Sequence, residues 1–265
     1  HKTIEEISEM FATLSQNTRD TLIINADCPY LKKINFQHKN IVTYGLHSNA
    51  TIGAKHIINK LFQSSFTVDG HSFEINVPGI YNISNALAAI AVARCLNISN
   101  DTIAGALRQF KGVQRRMDIV GKIDGVVVID DYAHNPEKVK AALNAVKLSY
   151  KRIIAIFQPH GYGPTRFMKK ELVDAFTSTL SPQDILFMPE MFCAGGTAEK
   201  NISSADIIEQ INDGGKNAFF VEKREDIIPA IKQHVRSGDC ILAMGARDNT
   251  LTKFCQEILH SLENH

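Results

Sequence analysis

The apolar positions of this chain follow one pattern over roughly the first 110 residues and another over the rest. In the first part Ile4, Ile7, Met10, Phe11 and Leu14 recur at three and four, which predicts a helix over Thr3–Thr18. Thr3 and Glu6 have the spacing of a capping box at its start. TLIIN (Thr21–Asn25) and IVTYG (Ile41–Gly45) are short apolar runs of the strand type. From Thr51 to Val77 apolar residues alternate with polar ones. Asp69-Gly70 between FQSSFTV and HSFEINV is a hairpin signal, so a small antiparallel patch is expected there. IYNISNALAAIAVARCL predicts a helix whose alanines pack closely against a neighbour, and a second helix follows over Asp101–Phe110.

Gly112 breaks that helix, and the pattern changes at Arg115. We place a domain boundary near Lys111–Gln114, giving domains 1–112 and 113–265. Beyond it, after a strand-like stretch that turns at Asp124-Gly125, strands at Val126–Ile129, Arg152–Phe157, Ile185–Met188, Ala218–Val221 and Asp239–Ala243 alternate with helices. The helices are expected over Pro136–Leu148, Phe167–Leu180, Ser203–Asn212, Glu225–Val235 and Thr250–Leu262. Such alternation means right-handed crossovers and a mainly parallel sheet, so the fold class is α/β with a C-terminal Rossmann-like domain.

In a parallel sheet the carboxyl ends of the strands share one edge, and ligands bind there. The first of these strands runs into Asp130, Asp131, Tyr132 and His134, and the second into Gln158, His160, Gly161, Pro164 and Arg166. The third reaches Glu190 and Cys193-Ala194-Gly195-Gly196, and the last Gly245-Ala246-Arg247-Asp248-Asn249. A plainer reading has the aspartates capping the next helix, the glycines making tight turns, and Arg166 capping or solvating its helix. It also has His134 solvated, but the tight turns do not account for Arg166 and Arg247 beside such loops. Near the start of the alanine-rich helix, Asn82 has the plain reading of an N-cap. Asn85 has no capping need, and its carboxamide offers the donor and acceptor an adenine edge requires.

Net charge narrows the partners. At +1 it gives no electrostatic reason to expect nucleic acid or an anionic membrane. No apolar run approaches a membrane span, and no signal peptide is expected. Five scattered cysteines without a C-x-x-C pair suit reduced thiols in a cytoplasm. Neither a G-x-G-x-x-G fingerprint in the second domain nor a Walker A loop occurs, so the chain cannot hold a triphosphate by that device. The chain opens on His1 rather than Met, and we expect a fragment or a processed product.

Four motifs in order, GIYNISNALAAIAVA, FKGVQRRMDIVG, VVVIDDYAHNPEKVKAAL and IAIFQPHGYGPTRF, resemble the Mur ligases along nearly the whole chain. The resemblance implies the last part of a P-loop-type central ATP-binding domain followed by the family's C-terminal domain. It implies ATP-dependent amide formation in cytoplasmic peptidoglycan precursor synthesis, with ATP and Mg2+. The substrates would be UDP-N-acetylmuramate and L-alanine or a related amino acid or peptide. Alternatives are a murein peptide ligase, a Mur-like ligase with another acceptor or, for these residues alone, a non-catalytic substrate-binding module.

Carried over residue by residue, Asn82 and Asn85 match the adenine end of the ATP site. Arg116 matches an arginine that reaches nucleotide phosphate across the interdomain hinge, and Asp131 an acid that holds the ribose. His134 and His160 match histidines facing the reacting centre, and His1 the histidine of a pair binding the second magnesium. The phenol of Tyr132 is assigned to substrate along with His160. The chain departs from the family at Tyr81, where histidine is usual, and at Gly161 and Pro164, where alanine-adding members carry arginines. Arg166, with Arg247, is expected to replace those two in holding the acceptor's carboxylate.

Overall fold

Thr3 caps the first helix as its spacing predicts. Its hydroxyl accepts the Glu6 amide at 3.2 Å while the Glu6 carboxylate accepts the Thr3 amide at 2.8 Å. This computed structural model describes residues 3–47, 49–60, 63–77, 79–192 and 201–263. The chain folds as two compact units, His1–Lys111 and Gly112–His265. Helix α1 (Ile4–Asn17) has the expected apolar stripe, but Ile4, Ile7, Met10, Phe11 and Leu14 are all exposed. Periodicity foretold the helix and not a covering partner.

In the first unit β1 (Leu22–Asn25), β2 (Ile41–Gly45) and β3 (Ile52–Gly53) form a parallel sheet in that order. The antiparallel patch follows as β4 (Lys55–Asn59), β5 (Ser64–Val68) and β6 (His71–Ile75). Asp69 and Gly70 turn β5 into β6 with φ of 50° and 81°. The alternating run is thus shared between two sheets, since Ile52 and Gly53 pair in parallel with Tyr44 and Gly45. Helix α2 (Ile80–Cys95) starts at Gly79, whose φ of 95° an L side chain rarely adopts. It buries Ile83, Leu87, Ile90 and Ala91 with Phe66, Phe73 and Ile103, the last from α3 (Asn100–Gln109).

The second unit is a six-stranded sheet flanked by helices. Its elements are β7 (Asp118–Ile123), β8 (Val126–Asp131), α4 (Pro136–Lys147), β9 (Ile153–Gln158), α5 (Tyr162–Phe167) and α6 (Lys169–Thr179). Then come β10 (Ile185–Pro189), α7 (Ala205–Asp213), β11 (Asn217–Val221), α8 (Ile227–His234), β12 (Cys240–Gly245) and α9 (Leu251–Glu263). Strand order is β11-β10-β9-β12-β8-β7, parallel throughout except for β7, which is antiparallel to β8. β8, β9, β10 and β12 are buried at every position, the reason their sequences run apolar without alternation. Among the described residues no helix is long and apolar enough to cross a membrane.

Two details differ from expectation. Asp130 and Asp131 lie on β8 itself, because the ladder to β12 continues through both. The helix expected over Phe167–Leu180 stands as α6, and a separate short helix, α5, precedes it, begun by Gly161 with φ 72°. Its YGPTRF sequence reads as loop, yet Pro164 lies in the first turn, where a missing amide hydrogen costs no bond.

Candidate functional site

At the carboxyl edge of the second sheet Tyr132 is the hub. Its amide donates to the Arg115 carbonyl at 2.7 Å, and its phenol oxygen accepts the Arg247 amide at 3.3 Å. The guanidinium carbons of Arg115 and Arg116 lie 5.1 and 5.3 Å from its ring centroid, within cation–π range. His134 stands edge-on to the same ring at 5.5 Å. Its Nδ1 is 2.9 Å from the Tyr132 carbonyl, which can only accept. A neutral His134 therefore carries its proton on Nδ1 and leaves Nε2 as a base.

Below Tyr132 the two aspartates serve different neighbours. The Asp131 carboxylate accepts the amides of Met117 and Ala133, each at 2.7 Å. Asp130 is fully buried, accepts the Thr252 hydroxyl at 2.6 Å and pairs with Arg115 Nε at 3.3 Å. Burial raises both carboxyls above the usual range, outweighing the Thr252 and Arg115 interactions at Asp130 and the two amides at Asp131. Neither caps α4; Asn135 does, accepting the Lys138 amide at 3.0 Å.

His160 follows β9 and is locked to the segment after β10. Gly161 donates to the Phe192 carbonyl at 3.0 Å, and Phe192 to the Pro159 carbonyl at 2.8 Å. The His160 pKa is lowered, first by burial and then by the charges of Arg247 and His134. The structure thus gathers His160, Arg247, His134, Tyr132 and Arg116. Arg247 has a left-handed backbone, φ 59°, beside the buried Asp248. That carboxylate accepts the Thr250 amide and hydroxyl at 2.9 and 2.6 Å and pairs with Arg224. Burial pushes Asp248 up, but Thr250 and Arg224 prevail and hold it below the usual range.

Other expected residues stand elsewhere. Arg166 is exposed, and its Nη1 donates to the Asn201 side chain at 2.6 Å. Glu190 accepts the Ser203 hydroxyl at 2.6 Å and the Met191 amide at 2.8 Å, tying down the approach to α7. In the first unit Asn82 and Asn85 lie inside α2 rather than at its cap, with Asn85 Nδ2 donating to Asn82 Oδ1 at 3.1 Å. His1 and Cys193–Gly196 lie outside the described residues. Among the described residues no group of three or more His, Cys, Asp or Glu side chains could hold a metal ion. Sequence reasoning missed Arg115, the buried partner of Asp130; its only signal was the paired arginine in QRRMD.

The Mur ligase middle domain model matches residues 1–93, and the model described as Mur ligase, glutamate ligase domain, matches residues 115–247. The UDP-N-acetylmuramate–L-alanine ligase of Clostridium novyi is 34% identical over 257 residues, covering 94% of this chain and 55% of its own length. Among solved structures, a UDP-N-acetylmuramate–alanine ligase from Thermotoga maritima matches with a TM-score of 0.77 at 23% identity, over 99% of this chain and 56% of that one. A MurF ligase from the same organism, solved with ADP, matches with a TM-score of 0.71 at 17% identity, over 99% of this chain and 58% of that one. These two structures show a shared fold. The chain spans about half the length of the curated relatives it matches.

Proposed function

The chain belongs to the Mur ligase family, and from that premise we propose that it forms part of an ATP-dependent ligase of peptidoglycan precursor synthesis. The reaction joins L-alanine, or a related amino acid or peptide, to UDP-N-acetylmuramate. The observation that carries this reading is the 34% identity, along 94% of the chain, to a relative bearing that activity as its name.

The described residues suit a nucleotide better than a metal. In the first unit the exposed Asn85 keeps its carboxamide oxygen and one N–H for a base edge after bonding Asn82. In the second, exposed Arg116 and the Arg247 guanidinium supply cations suited to phosphoryl and carboxylate oxygens. The Mg2+ implied by the resemblance finds no ligand set among the described residues, so the chemistry is derived from side chains alone.

ATP supplies the phosphoryl group that turns the sugar carboxylate into an acyl phosphate, and the acceptor's amine then displaces phosphate at the acyl carbon. Arg116 neutralises phosphoryl oxygens, which matters most as charge develops in the transition state. His160, its pKa lowered, is neutral near pH 7 and takes the proton the attacking amine sheds, with His134 Nε2 as a second base. Arg247 holds the acceptor's carboxylate in place of the side chains absent at Gly161 and Pro164. Arg166, engaged by Asn201, is the weaker candidate for that task. Asp131 keeps a second lone pair on each oxygen for a ribose hydroxyl while organising Met117 and Ala133.

The test is a ligase assay on the gene product that contains these residues, with ATP, UDP-N-acetylmuramate and a panel of amino acids. Phosphate release that depends on L-alanine or a close relative is the expected result. Failure with every amino acid and peptide would sink the reading. The 265 residues alone, which contain no Walker-type loop, are expected to turn over no ATP.

A further inference from the structure

Left-handed backbone at a residue other than glycine is uncommon, and its placement in this molecule is uneven. His56, Asp69, Asn97 and Asp124 have positive φ, but they are of the residue types enriched there. Arg115 (φ 59°), Met117 (φ 51°) and Arg247 (φ 59°) are long side chains, and all three belong to one hydrogen-bonded cluster with Asp131 and Tyr132. Arg116 sits between two of them. The neighbouring arginines also differ in exposure: Arg115 is 8% exposed, whereas Arg116 faces solvent.

We propose that Arg115 is the positioning residue of this edge, fixing where Arg116 and Arg247 stand. Its carbonyl accepts the Tyr132 amide at 2.7 Å, and its own amide reaches Asp118 at 3.3 Å. Its Nε pairs with Asp130 at 3.3 Å, and its Nη2 donates to the Gly245 carbonyl at 2.7 Å. One residue, through backbone and side chain together, therefore joins the start of β7, the end of β8 and the end of β12, two residues before Arg247. Its other nitrogen, Nη1, is buried without a hydrogen-bond partner. A residue kept only for stability would not combine a strained backbone, a buried charge and an orphaned donor. A lysine cannot replace it, because a single ammonium cannot serve Asp130 and the Gly245 carbonyl in the fork geometry a guanidinium provides. Arg116 is then held over Tyr132 from one side of the chain, and Arg247 is held between the anchored Gly245 and the Asp248–Arg224 pair. The proposal rests on the ligase reading only for what these two arginines act on.

The experiment is NMR on the 265-residue chain carrying Arg115→Lys, and separately Arg115→Met with Asp130→Asn so that no lone carboxylate is left buried. Two quantities are read: the titration midpoint of His160, which Arg247 helps to lower, and the hydrogen exchange of the Arg247 amide. We expect the midpoint to rise toward the ordinary histidine value and exchange to quicken in both variants, with the lysine variant showing the smaller change. The control is Arg152→Met with Asp239→Asn, which removes another buried pair of the same unit. It should lower the melting temperature and move neither quantity. Unchanged His160 and Arg247 signals in the Arg115 variants, or equal changes in the control, would overturn the proposal. If the double variant does not fold, Arg115→Lys keeps a charge for Asp130 and decides alone. No ligand enters the experiment, so its failure leaves the ligase reading standing, and a failed ligase assay leaves this result standing.

Discussion

The two edges of the second unit's sheet are built from the same residue types and use them differently. At the amino edge Asp184 accepts the amides of Ile153 and Ser181 at 2.8 and 2.6 Å and faces Lys147 at 3.2 Å. Asp239 accepts the Arg236 amide at 2.8 Å and pairs with Arg152 at 2.9 Å, while Arg152 also donates to the carbonyls of Gln183 and His234. Where that edge needs left-handed backbone before a strand it has Gly125, Gly215 and Gly238, and beside Gly125 only Asp124, of a type that tolerates it. At the carboxyl edge, besides Gly161, three long side chains, Arg115, Met117 and Arg247, stand on left-handed backbone, and two buried arginine nitrogens, Arg115 Nη1 and Arg224 Nε, have no partner. Each such backbone costs about 1–2 kcal/mol. The amino edge is therefore relaxed and saturated, as staples should be. The carboxyl edge carries strain that only its arginines' positions explain.

The largest expected effect lies at the staples. Asp184→Ala leaves two backbone amides without their acceptor and Lys147 without its carboxylate, and denaturant unfolding should show a loss of about 3–5 kcal/mol. The His160 midpoint should not move. A small loss, or a displaced His160, would blur the distinction between the edges.

Next come the exposed arginines. Arg116→Ala and Arg247→Ala should each cost about 1.5–3 kcal/mol in ligase kinetics, the value of a charge-assisted hydrogen bond. Stability should change by no more than about 0.5 kcal/mol. Arg116→Ala is expected to act on ATP use and Arg247→Ala on the acceptor's KM. Wild-type kinetics would remove these residues from the site.

Arg247→Gly sharpens the contrast further. Glycine relieves the left-handed backbone, so unfolding should show a gain of about 1 kcal/mol while acceptor binding is lost. A loss of stability would mean that the Arg247 side chain is itself a staple.

The smallest effects are those of pH. His160 has a lowered folded-state pKa, so the unfolded chain takes up its proton first as pH falls through the ordinary histidine value. Stability should decline there and level off below the folded pKa. Asp248 acts in the same direction at lower pH: its depressed pKa contributes stability above the ordinary carboxylate value, lost as pH falls through the folded one. Replacing His160 with Gln should flatten the upper step and leave the lower.

Much of this was legible in the sequence because local rules determine it. The Thr3–Glu6 box, the Asp69-Gly70 hairpin and the unbroken apolar run of β8 are each set by a few neighbouring residues. What stayed hidden depends on distant ones. Nothing local tells Asp130, bound for Thr252 and Arg115, from Asp131, bound for Met117 and Ala133. Of two adjacent arginines, only the three-dimensional placement of Gly245 shows which is buried and which is free to act. The loop reading of Gly161–Arg166 failed because Gly and Pro signal turns, while the burial of Tyr162 and Thr165 made it a helix.

The most direct test of the carboxyl edge as the ligand edge is an NMR titration of the 265-residue chain with ADP. Weak binding is predicted, with shifts at Arg116, Tyr132, His134 and Arg247, none at Arg152, Asp184 or Asp239, and loss of the response in Arg116→Ala. Shifts confined to the amino edge, or no shift at millimolar ADP, would contradict it.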